Sequence, residues 1–291
     1  MKNYLFVLAL LLVPFLKAEA QYEEGPNPGN TGAHAFLFID HATDAEIGEH
    51  VIIDVQMDGG QDNLGNFQGT VLRLKIPFSD WIEIEADMAA DNWQVTDEVV
   101  EKYGLATNGR IDGGDPIFKT KMRILNETDK RPAISLQTSV KTASGDFKGG
   151  RRFTDSAGYE ISILGTKTLL ESDEAIIRKA KLFAEIAFIA WDTNASQQND
   201  AWKISTALQV EGEKFKMKVS YLGYFGWQNP SLDYVSTLQF EAARNMKKNF
   251  QVYGQVNLGL SKAATPVMIG AGVRWFLPTP KKKLMQLNGY E

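Results

Sequence analysis

The feature that most constrains this chain is a strict alternation of apolar and polar residues in short segments, repeated along most of its length. In residues 117–125, IFKTKMRIL, Phe118, Thr120, Met122 and Ile124 fall on one side and Lys119, Lys121 and Arg123 on the other. Side chains of a strand change face at every residue, so one face of this segment suits hydrocarbon and the other water. A soluble sandwich alternates too, and the connections between segments must decide between the two.

Twelve segments carry the pattern: 51–57, 67–76, 81–88, 117–125, 133–141, 157–168, 181–191, 202–210, 215–225, 232–242, 249–259 and 266–276. Connections on one side are mostly short, as at 77–80, 126–131 and 211–214. Most on the other side are longer and richer in Gly, Asn and Asp, as at 58–65, 94–113, 143–155 and 192–200. An even strand number and unequal connections are properties of outer-membrane barrels, which have short periplasmic turns and longer outer loops. The expected fold is therefore all-β, an antiparallel up-and-down transmembrane β-barrel of about twelve strands. All six tryptophans lie near strand ends, where an interfacial aromatic girdle belongs. Parity points Trp202, Trp227 and Trp275 to lipid and turns Trp81 and Trp93 inward.

The first residues fit an exported barrel. Lys2, an apolar run from Tyr4 to Leu16 and the small-x-small triplet Ala18-Glu19-Ala20 read as a signal peptide over 1–20, cleaved before Gln21. The run is broken by Pro14 and is shorter than the ~20 apolar residues of a spanning helix. Residues 21–46 read as a flexible periplasmic lead or partial plug, 47–277 as the barrel and 278–291 as a periplasmic tail. Cysteine is absent, so neither disulfides nor a lipid-anchoring thiol is available. A closed sheet stabilises such a chain by pairing every backbone group. Mean hydropathy of −0.24 suits barrel strands, which intersperse apolar with polar residues. The net charge of −5 argues against nucleic acid as a partner.

Residues 113–146, GGDPIFKTKMRILNETDKRPAISLQTSVKTASGD, resemble the bacterial outer-membrane family labelled meta-pathway of phenol degradation. The shared pattern is a Gly-Asp opening, a basic strand, a short turn before Arg131-Pro132-Ala133 and a second strand; the loop start at Thr142 has two extra residues before Gly145. A weaker likeness runs from Gly48 to Phe276. The resemblance implies an outer-membrane barrel and, by the family's label, an aromatic solute. Phe276 is followed by Leu277 and a further tail, a departure from barrels that end on the aromatic residue read by the assembly machinery.

The inward residues of such a barrel determine whether it is a pore. Glu83, Glu85 and Asp87 should face Lys119, Lys121 and Arg123 from a neighbouring strand as acidic and basic ladders. Lys203, Lys216 and Lys218 are further lumen-lining candidates, with Lys141 basic and Glu160, Asp233 and Glu241 as counter-charges. Such ladders either fill the interior or set a field across a narrow pore. The leading expectation is a channel or transporter for a small-molecule solute. The alternative is a plugged structural barrel displaying its outer loops. Outer-membrane lipid, lipopolysaccharide and the barrel assembly machinery are the other expected partners, with Arg151 and Arg152 suited to lipopolysaccharide phosphates.

A barrel hydrolase would need a Ser activated by a His. Only His50 lies near a strand, and Ser261 could meet it only after closure onto the last strand. No catalytic residue and no cofactor is expected. His34 and His41 sit among Asp40, Asp44 and Glu46, but their spacing matches no familiar ligand set, so no metal is expected either.

Overall fold

The computed structural model describes residues 40–62, 65–93, 111–144, 157–173, 175–192, 198–226 and 234–279. The export segment at 1–20, His34, the tail from 280 onward, Trp227, Asp233 and the Arg151-Arg152 pair lie outside them.

Among the described residues thirteen strands follow in chain order: β1 (His50–Asp62), β2 (Gly65–Pro77), β3 (Ile82–Trp93), β4 (Ile111–Gly113), β5 (Ile117–Leu125), β6 (Ala133–Lys141), β7 (Gly158–Glu171), β8 (Lys179–Asp192), β9 (Gln198–Glu211), β10 (Phe215–Gly226), β11 (Tyr234–Lys247), β12 (Phe250–Gly259) and β13 (Val267–Pro278). Among the described residues β4 pairs only with Ala90–Asn92 of β3. The other twelve form an antiparallel ring in chain order, closed where β1 pairs with β13 from His50↔Pro278 to Gln61↔Val267. Closure leaves no free edge, which a strand in hydrocarbon requires.

Alternation becomes an outside and an inside. Met57, Met88, Phe118, Ile163, Ile186 and Ile269 are about half exposed or more, whereas Asp54, Glu85, Lys119, Ser135, Ser162 and Ser205 are buried within. An apolar outside over a polar inside suits a bilayer and is the reverse of a soluble barrel. Aromatic rings collect at both rims. At the end where β1 starts, the near end, Phe250 and Trp275 pack at 5.2 Å; at the far end Phe188 and Trp202 pack at 5.6 Å, as do Phe225 and Tyr234.

Several sequence expectations are corrected. Trp81 is 55% exposed rather than inward, because β3 begins one residue later and strand parity does not govern it. Trp191 sits at a strand end but is 1% exposed, packed inside with Ile189, Ala201, Tyr224, Val235 and Ala264. The side chain of Trp93 lies outside the described residues. Residues 58–62 and 65 are strand rather than loop, with Asp62 opposite Gly65. Gly60 permits this: a Cβ there would lie 2.8 Å from the ring of Phe67, its cross-strand partner. β8 and β9 likewise extend to Asp192 and back to Gln198, into a stretch expected to be loop.

Candidate functional site

The strands aim their inward residues at a common axis, and the segment before β1 enters that space. Residues 40–49 form a strap inside the barrel. Alanines bring its backbone against the wall: Ala42 packs on Phe183 and Ala207, and Ala45 on Ala133 and Leu164. At that range the Ala42 N–H donates to Ser205 Oγ at 2.7 Å and the Ala45 N–H to Thr166 Oγ1 at 2.8 Å. Further along, the Gly48 N–H donates to Glu83 Oε2 at 3.1 Å.

Lysines complete the attachment. Lys121 donates to the carbonyls of Asp44 and Glu46, both at 3.0 Å, and Lys218 to that of Ala42 at 3.0 Å. Lys181 reaches the carboxylates of Asp44 and Glu46, each at 2.7 Å. Burial alone would raise the Asp44 pKa, but the Lys181 charge and hydrogen bond outweigh it and hold the carboxyl below its ordinary value. Burial, reinforced by the Lys218 charge, pushes His41 down to about 3, so its ring is neutral; its Nε2 lies 3.4 Å from Thr237 Oγ1.

The ladders from β3 and β5 meet in register, Glu83 opposite Lys121 and Glu85 opposite Lys119. Lys121 pairs with Glu83 at 2.8 Å, and Lys119 with Glu85 at 2.9 Å and Asp87 at 2.6 Å. Lys119 also pairs with Asp40 of the strap, which Arg73 approaches at 3.5 Å. Asp40, Glu85 and Asp87 bring their carboxylates within 4.8 Å of one another, a spacing that could hold a cation. The Lys119 ammonium already stands among them, so a metal would have to displace it. Lys203 pairs with Glu185 at 2.8 Å and Glu160 at 3.0 Å. Arg123, Lys216 and Lys218 face the cavity described next, Lys216 lying 3.6 Å from Glu211.

The strap divides the lumen unequally. Between it and the wall of β5–β9 remains about 30 Å³, bordered by Asp40, His41, Lys119, Glu160 and Lys203. A cavity of about 780 Å³ is lined mainly by β1, β2 and β10–β13 and also by Glu83, Lys121, Lys181 and Gln209 of β3, β5, β8 and β9. Its lining runs from Glu49, Lys216 and Phe276 at the near end to Asp58, Asn257 and Met268 at the far end. From Met268 to Phe276 is eight strand steps, or about 26 Å along β13. Gln56, Gln239, Gln251 and Gln255 supply much of this wall. The Oδ1 of buried Asn257, which also lines it, has no partner among the described residues.

Among the charged residues of this lining, Arg274 organises a cluster. Arg274 binds Glu241 through both terminal nitrogens, at 2.8 and 3.1 Å, and Asp54 at 3.0 Å. It also lies 3.8 Å over the Tyr253 ring. The Tyr253 hydroxyl donates to Asp54 at 2.7 Å. Gly272 makes room: a Cβ there would lie 2.5 Å from the Tyr253 ring.

The two residues weighed for hydrolysis are far apart. His50 pairs with Pro278 at the near end and packs on Phe276, while Ser261 follows β12 at the far end and accepts a hydrogen bond from the Ser236 N–H. Sequence reading missed Arg73, Lys181 and Arg274 as site residues. All three hold inward parity, and parity was the signal that could have found them.

No family model and no curated protein matches this sequence. Among solved structures the chain is similar to the KdgM porin, with a TM-score of 0.51 at 10% identity over 77% of this chain and 98% of that one. It is similar also to the NanC porin, with a TM-score of 0.50 at 9% identity over 78% and 98%. At such identities the likeness is one of barrel fold.

Proposed function

We propose that this chain is an outer-membrane channel that passes a small solute along the wall formed by β1, β2 and β10–β13, beside an N-terminal strap. The observation that carries this reading is the cavity of about 780 Å³ whose lining includes residues of both barrel ends. A barrel of twelve strands lies between the small ones filled by their own side chains and the large ones holding an aqueous channel, so the lumen contents decide. Here one side is filled by the strap and the ion pairs, and the other is left open and lined by amides and charged residues. The similarity to porin folds is consistent with such a path. On this reading the near end faces the periplasm, and outer-membrane lipid, lipopolysaccharide and the assembly machinery are the partners. An aromatic solute is the finer proposal that follows from the family resemblance.

A structural barrel sealed by its strap is the second reading, favoured by the number of wall residues that grip residues 40–48. Planar-bilayer recording of the refolded mature chain, residues 21–291, separates the two. Steady conductance reduced by small aromatic acids supports a channel for such solutes. Conductance indifferent to them keeps the channel and removes the aromatic solute. A silent, folded barrel overturns the channel.

A further inference from the structure

Six lumen cations, Arg73, Lys119, Lys121, Lys181, Lys203 and Lys218, converge on strap residues 40–46, which carry three carboxylates, Asp40, Asp44 and Glu46. Four of the six also have carboxylate partners in the wall: Lys119 has Glu85 and Asp87, Lys203 has Glu160 and Glu185, Lys121 has Glu83, and Arg73 has Asp87 at 3.9 Å. Lys181 and Lys218 differ. The contacts of Lys181 are the strap's Asp44 and Glu46, and that of Lys218 is the Ala42 carbonyl. The acid opposite Lys218 in register, Glu241, is gripped by both terminal nitrogens of Arg274.

These two lysines form one row. Lys181 stands opposite Gln209, and Gln209 opposite Lys218, across β8, β9 and β10. Two inter-strand spacings separate them by about 10 Å. Both line the large cavity rather than the small one, so they lie on the open side of the lumen. Without the strap, each would face that cavity with its present partner gone, while carboxylates at 2.7 Å already demonstrate how an anion sits on Lys181. An incoming carboxylate replaces those contacts at little desolvation cost, because the strap's own acids leave the same positions.

We propose that the strap occupies the binding path of an extended solute carrying several carboxylates, and that Lys181 and Lys218 are the residues this solute engages when it displaces the strap. Asp44 and Glu46 converge on the one Lys181 ammonium, and Lys218 stands about 10 Å further along the row, so a solute that engages both lysines must reach across that distance. The site thus takes a linear oligocarboxylate rather than a compact anion. This inference rests on the channel reading.

The test uses the mature chain with Ala45→Phe, which expels the strap by volume and leaves every charge in place. Hexaglutamate and hexaglutamine serve as probes in planar bilayers, with heat-modifiable gel migration as the check of folding. Hexaglutamate is expected to block the A45F current at about tenfold lower concentration than hexaglutamine. Adding K181Q and K218Q should remove that difference. Equal block by the two peptides in a conducting A45F barrel, or discrimination that survives K181Q/K218Q, overturns the inference and leaves the channel standing. If A45F does not fold, Asp44→Asn with Glu46→Gln loosens the strap and the same comparison applies. A folded barrel silent in the wild type and in both strap variants overturns the channel reading, and this inference with it.

Discussion

The two halves of the lumen wall are built from the same alternating strands yet end in opposite states. From β3 to β9 most inward charges have a partner in the wall, Lys119 with Glu85 and Asp87, Lys121 with Glu83, Lys203 with Glu160 and Glu185, and the strap packs on this side, leaving residues such as Lys121, Lys181 and Gln209 on the larger cavity. From β10 round to β2 the wall mixes amides with charges, Asp58, Arg73, Lys216 and Lys218 beside the cluster at Arg274, and it borders most of the open cavity. Inward charges of both signs recruit a peptide segment, because its carbonyls and carboxylates satisfy what the wall leaves over. Amides bond well enough to water that nothing need cover them.

Deleting residues 21–46 breaks the contrast most directly, by emptying the closed half. Single-channel conductance should rise several-fold over the intact mature chain, since the lumen of a twelve-stranded ring is then obstructed only by its own side chains. Unchanged conductance would mean that the far-end cluster around Trp191, not the strap, limits passage.

Next in size is Lys119→Met. It leaves Glu85, Asp87 and Asp40 without their shared cation in the closed half, a cost of about 3–5 kcal/mol in urea unfolding from lipid vesicles. Arg274→Gln, in the open half, frees Asp54 and Glu241 beside water and should cost less, about 1–3 kcal/mol. Equal losses at the two positions would contradict the distinction between a dry and a wet wall.

The smallest effect is on pH. Asp40 and Asp44 lie below their ordinary value of 3.8, through Lys119 and Arg73 in one case and Lys181 in the other, against the opposing effect of burial. A depressed carboxyl contributes its stabilisation fully above the unfolded value and loses it as pH falls through the folded one. Wild-type conductance should therefore stay level from neutral pH to about 4 and climb only below that, and the climb should be absent once 21–46 is deleted.

Much of the ring was legible because parity is local. A seven-residue stretch such as 51–57 already separates Asp54 and Gln56 from Val55 and Met57. The same rule places Glu83, Glu85 and Asp87 on one face of β3 and Lys119 and Lys121 on one face of β5, and the ring then brings the two faces together. What could not be read was whatever depends on a distant residue. Asp58-Gly59-Gly60 looks like a turn until Phe67 lies across Gly60. Trp191 looks like a girdle residue until Tyr224 and Val235 surround it. The strap has no periodicity at all. Its place follows from contacts such as Ala42 with Ser205, 163 residues apart, and Ala45 with Thr166, 121 apart.

The seam between β1 and β13 bears on how the molecule is made. It joins the first strand of the ring to the last, so the cylinder is completed only when the whole chain is present. The strap is the stretch directly before that first strand, and the groups it needs, on strands between β2 and β11, all precede β13 in sequence. Sealing the ring and loading its interior therefore concern the same stretch of chain: the strand that closes the seam continues directly from the segment the lumen encloses.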